Sequence, residues 1–62
     1  MSWGARRTIR KAIERTNARA KRAVLGASML YATGHHGPAE RTLAEARRHN
    51  DTVSRLTARL QR

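Results

Sequence analysis

Between Ala5 and Thr33 the apolar and small residues fall at Ile9, Ile13, Thr16, Ala20, Val24, Ala27 and Tyr31. Steps of three and four place all seven on one face of a helix. Ala12, Ala23 and Leu30 widen that stripe, while Arg7, Lys11, Glu14, Ala18, Lys21 and Arg22 fall outside it. The spacing from Ile9 to Ala20 to Tyr31 is eleven residues each time, which suits a straight or slightly right-handed helix better than a left-handed supercoil. Ser2 stands ahead of the pattern as a candidate N-cap, with Ala5 three residues on. A second pattern runs from Pro38 to about Leu60 and repeats at Ala39, Ala46, Val53 and Leu60, flanked by Leu43 and Leu56. Asn50 falls within this stripe or at its solvated edge.

The two patterns are separated by Gly34-His35-His36-Gly37-Pro38. Gly34 directly after the first pattern reads as the left-handed residue that closes a helix. Pro38 suits the first position of the next one, and Glu40 in its first turn complements the helix dipole. Four residues, 34–37, are a normal helix–helix connection. At 1.5 Å per residue the helices are about 43 and 34 Å long, and so short a link folds them back on one another. The expected fold is all-α: one domain over residues 1–62, an antiparallel two-helix hairpin. Helix one spans about 5–33, the turn 34–37 and helix two about 38–60.

Size changes this picture. The chain has 62 residues, no Phe and no Cys, and much of its 39% hydrophobic content is Ala. Burial contributes roughly 25 cal/mol per Å², against ordering costs of about 1.5 kcal/mol per residue. A lone hairpin is therefore marginal, and the missing cysteines exclude disulfides and thiolate metal sites as supports. Two helices also leave one side of each stripe uncovered. Completion as a homodimeric four-helix bundle, or by docking in a larger assembly, is the expectation. The residues expected at the hydrophobic interface are Ile9, Ile13, Ala20, Val24, Ala27, Tyr31, Leu43, Ala46, Val53 and Leu60. Asn50 is a candidate for fixing register against its symmetry mate.

Charge indicates the partner. Fourteen Lys and Arg against four Asp and Glu give +10, and twelve of the fourteen cations are Arg, whose planar fork suits bidentate phosphate contacts. Residues 1–33 carry eight cations against Glu14, a net of +7, and residues 34–62 a net of +3. Asp51 stands four residues from Arg47 and Arg55, and Glu45 lies within four residues of Arg41 and Arg48. The second helix therefore reads as partly self-neutralised. The expected phosphate contacts lie on helix one: Arg6, Arg7, Arg10, Lys11, Arg15, Arg19 and Arg22. Their partner would be DNA or RNA, bound with little base specificity. Trp3 and Tyr31 are too few and too far apart for a stacking platform.

The run ARRTIRKAIER, residues 5–15, is similar in composition to the arginine-rich RNA-binding helices of phage antiterminators. The order of basic region, helix, loop and helix resembles basic helix–loop–helix factors, with Glu14-Arg15 at their Glu-Arg pair. Asn17-Ala18 and Gly26 depart from that pattern where a second Arg pair and bulky packing residues belong, so the family is not assigned.

Other classes fit less well. An acidic protein partner for an interaction module is the alternative, and a membrane-surface helix the third reading, its apolar stripe thin beside Ile9 and Ile13. No run reaches the about 20 apolar residues of a membrane span, and 22 basic-rich residues ahead of a weak apolar stretch make a poor signal peptide. Residues 1–22 also share the Arg-rich, acid-poor character of organelle presequences; an ordered hairpin in the cytoplasm, nucleoid or a ribonucleoprotein is the reading adopted. Ser28 and Ser54 lack a nearby base, so no enzyme activity is expected. His35, His36 and His49 supply at most three zinc ligands, with His49 about 17 Å down the helix from the turn. No metal or other cofactor is expected.

Overall fold

A computed structural model describes residues 2–61 of the chain. It has two α-helices, α1 from Trp3 to Ala32 and α2 from His36 to Leu60, joined by Thr33–His35 and running antiparallel. Among the described residues there is no strand, and the pair forms a rod 48 × 14 × 11 Å in extent. The all-helical hairpin expected from the two periodic patterns is what forms.

Local chemistry sets the ends of α1. Ser2 caps the N-terminus, its Oγ accepting from the Ala5 amide at 3.2 Å, so the helix starts at Trp3, two residues before the hydrophobic pattern becomes regular. At the other end Gly34 takes φ +82°, the left-handed conformation that costs glycine least. Its amide donates to the Tyr31 carbonyl at 3.1 Å, and the His35 amide to the Leu30 carbonyl at 2.7 Å. These two bonds make a Schellman motif and satisfy carbonyls the helix end would leave bare. The Thr33 hydroxyl donates to the Met29 and Leu30 carbonyls at 3.0 and 3.1 Å.

The start of α2 differs from the expectation. His36, Gly37 and Pro38 are all helical, so the turn is shorter than 34–37 and Pro38 occupies the third helical position. Amides of the first helical turn have no partner within the helix, so the missing N–H of Pro38 costs nothing there. The usual clash of proline with the preceding side chain is reduced because Gly37 has no Cβ.

The seam between the helices is built from small residues. Thr16, Ala20, Ala23 and Ala27 of α1 are buried against Ala39 and Ala46 of α2, with Ala27 only 1% exposed. Steps of four, three and four along α1 make this the line of closest approach. Ile9, Ile13, Leu43, Val53 and Leu60 flank it half-buried, and no large side chain is fully buried. The Thr16 hydroxyl stays satisfied by donating to the Ala12 carbonyl at 2.7 Å. Two expected interface residues differ: Val24 is 44% exposed and Tyr31 37% exposed. The seam runs through Ala23 and Ala27, whose small side chains let the axes approach, and this turns Val24 and Tyr31 to its rim. Asn50 is exposed as well. At the open end the Arg6 guanidinium donates to the Leu60 carbonyl at 3.1 Å, placing a cation at the negative end of the α2 dipole.

Candidate nucleic-acid interface

Helical spacing divides the cations of α1 between two flanks of the hairpin. Lys11, Arg15, Arg19 and Arg22 follow one another at steps of four, four and three and so form one row. Arg19 and Arg22 line a groove with Ala23, Glu45 and His49, which places the row beside that edge of α2. A methyl added at Gly26, next along the row, would lie 3.9 Å from Thr42 Cγ2 on the same edge. Arg10 belongs to a second row that continues through Glu14, Asn17 and Lys21, and Arg7 stands between the rows, four residues before Lys11 and three before Arg10. The groove of the second row, on the opposite flank, is lined by Asn17, Ala20, Lys21, Val24, Leu25 and Asn50. Arg7 lies over the Trp3 ring at 5.6 Å, a cation–π contact at the exposed end of the rod. The seven residues expected to bind together thus separate: four share a flank, Arg10 belongs to the opposite one, Arg7 stands on the outer face between the two rows, and Arg6 is held at the end of α2.

The other half of the cationic flank comes from α2, and the sequence reading missed it. Arg41, Glu45, Arg48, Thr52, Arg55 and Arg59 recur at alternating steps of four and three, an outward row beside His49. Arg55 and Arg59 border a cleft with Thr52 and Leu56. The spacing was readable; neutralisation by nearby carboxylates hid its consequence. Among the described residues Glu45 Oε1 lies 3.7 Å from His49 Nε2, and no arginine pairs with a carboxylate. Arg55 donates instead to the Asp51 backbone carbonyl at 3.5 Å. Exposed pairs four residues apart gain only about 0.3–0.5 kcal/mol, so solvent competes well for these arginines.

Lys11, Arg15, Arg19, Arg22, Arg41, Arg48, Arg55 and Arg59 therefore sit along two adjacent helices with Glu45 as the one carboxylate among the described residues of that flank. By helical rise the α1 row is about 17 Å long and the α2 row about 27 Å. Glu14 and Glu40 lie toward the other side, where Glu40 accepts a hydrogen bond from the Tyr31 hydroxyl, and Asp51 stands at the border, one turn before Arg55. The Glu40 carboxylate holds the Tyr31 phenol above its usual pKa.

The turn histidines are occupied locally. His36 packs its ring against Tyr31 at 5.5 Å, and His35 Nδ1 meets the Thr33 hydroxyl at 2.9 Å. Among the described residues no three side chains of metal-binding type gather at one point, and no helix is long and apolar enough to cross a membrane. No protein-family model, curated protein or solved structure matches the chain.

Proposed function

We propose that this protein binds nucleic acid through its cationic flank, reading phosphates rather than bases. The observation that carries this reading is the one-sided gathering of eight cations from two helices around a single carboxylate. A field of one sign along a rod attracts a polyanion and neutralises its phosphates in sequence. Arginine dominates the rows, and its fork matches phosphate oxygens. The amides that read adenine, Asn17 and Asn50, line the opposite groove, which supports low base specificity for either DNA or RNA.

Released counterions make the test direct. Binding of the nuclease-treated protein to duplex DNA and to an RNA stem is measured by anisotropy across a salt series. The expected slope of log affinity against log salt is about −4 or steeper, from about −0.9 per neutralised phosphate. Affinity should change little when the base sequence is altered. A salt-insensitive complex, or no complex with either polymer near about 0.1 M salt, overturns the reading.

A protein-interaction module is the second reading, favoured by Leu25 and Met29, which are 67% and 72% exposed. We propose that these surfaces complete the hairpin within an assembly while the cationic flank binds nucleic acid.

A further inference from the structure

His49 is the histidine that faces the cationic flank. His35 and His36 are engaged at the turn, by Thr33 and Tyr31, whereas His49 stands more than three helical turns further along α2. Its half-buried ring lines the groove between the helices with Arg19, Arg22, Ala23 and Glu45. The charged groups that face it there are Arg19 and Arg22 from α1 and Glu45 from α2, whose Oε1 lies 3.7 Å from His49 Nε2. Arg15 precedes Arg19 by one turn and Arg48 adjoins His49 in the chain, while Thr52 and Val53, one turn after it, are uncharged.

The groove has the makings of an anion site. Arg19 and Arg22, three residues apart, project from one face of α1, the imidazole comes from α2, and the buried Ala23 methyl between them leaves room. Among the described residues the arginines that hydrogen-bond to the protein are Arg6 and Arg55, so the forks of Arg19 and Arg22 are free for a ligand. We infer, on the reading that this flank binds nucleic acid, that the groove holds one phosphodiester between Arg19, Arg22 and His49, and that His49 takes up a proton from solvent as the phosphate enters.

Charge balance explains the proton. With the imidazole neutral, the groove sets two cations against the Glu45 carboxylate; with it protonated, three. The two guanidinium groups oppose protonation of the free ring and Glu45 favours it. An entering phosphodiester adds a second anion and tips the balance toward the imidazolium. The neutral ring also presents a nitrogen lone pair, which repels a phosphate oxygen, whereas the imidazolium presents N–H donors alone.

Linkage fixes the sign of the consequence. A bound phosphate that raises the imidazole pKa is itself held more tightly by the protonated ring, by the same factor. That gain is fully present below the pKa of the free ring and is lost as pH rises through the higher pKa of the complex. Affinity for duplex DNA and for an RNA stem, measured by anisotropy at constant ionic strength, should therefore rise severalfold from about pH 8 to about pH 5.5, the range in which histidine titrates. The ceiling is about fivefold, the effect of a unit charge a few ångströms away in water. His49→Gln should abolish the pH dependence, and His35→Gln with His36→Gln should preserve it. His49→Lys should bind at about pH 8 as tightly as the parent does in acid.

The imidazole proton resonances of the full chain report the proton directly. The His49 signal should titrate at higher pH in the complex than in the free protein. Arg19→Gln with Arg22→Gln should shrink that difference, because the phosphate is no longer held beside the ring. Affinity that is the same across the pH range overturns the assignment while leaving nucleic-acid binding intact. So does a pH dependence that survives His49→Gln, a His49 signal that titrates alike in both states, or a difference undiminished by the arginine pair. Absence of any complex at either pH overturns both the site and the nucleic-acid reading.

Discussion

Tyr31 and Glu40 tie the last turn of α1 to the first turns of α2, with His36 packed against the phenol ring. The bond requires a protonated hydroxyl, so acceptance by Glu40, with smaller contributions from desolvation and the carboxylate charge, raises the Tyr31 pKa on folding. The unfolded phenol titrates near about 10. The contact therefore adds stability that is fully present below that pH and is lost as pH rises through the higher folded value. Phenolate absorbance followed against pH should place Tyr31 above an ordinary tyrosine, and Tyr31→Phe should remove that part of the alkaline loss of stability. An ordinary titration in the folded chain would show that the bond does not form. Glu45 makes a comparable claim on the cationic flank, where it opposes phosphate binding. Glu45→Gln should tighten nucleic-acid binding about fivefold, the effect of roughly 1 kcal/mol for a unit charge a few ångströms from a phosphate. Glu14→Gln, on the other flank, should change affinity little; equal effects in a filter-binding comparison would place both carboxylates alike.

The ends of the helices show how much of an element is written locally. Ser2 and Gly34 carry their reasons in their own chemistry, an oxygen at a cap and a residue free to take φ +82°. Both were legible in the sequence. Gly34→Ala should cost about 1 kcal/mol and lower Tm by about 4–8 °C, the scale for a chain of this size. An unchanged melting curve would mean the turn has another low-energy form. The start of α2 was less legible, because the rule that proline opens a helix does not separate the first position from the third when both lack amide partners. The seam was legible in period but not in orientation. Val24 and Ala23 are neighbours on the same apolar arc, and the small side chains of Ala39 and Ala46 decide which faces inward. The arginines of α2 were hidden by a different gap: residue spacing shows where a carboxylate can reach, not whether solvent lets it stay.

Seen whole, the rod separates two kinds of surface. Lys11, Arg15, Arg19 and Arg22 combine with Arg41, Arg48, Arg55 and Arg59 along one flank, while Val24, Leu25 and Met29 expose apolar area near the turn. A net charge of +10 alone would attract a polyanion to any side. Binding through one flank is a narrower property: the same number of charges removed elsewhere matters little. Two double variants of equal charge test it, Arg15→Gln with Arg19→Gln and Arg10→Gln with Lys21→Gln, each titrated with duplex DNA and with an RNA stem across a salt series. The account predicts that the first pair reduces the steepness of the salt slope by about 2, near 0.9 for each lost phosphate contact, and that the second pair leaves it almost unchanged. Equal losses from the two pairs, or no binding by the parent protein, would contradict it.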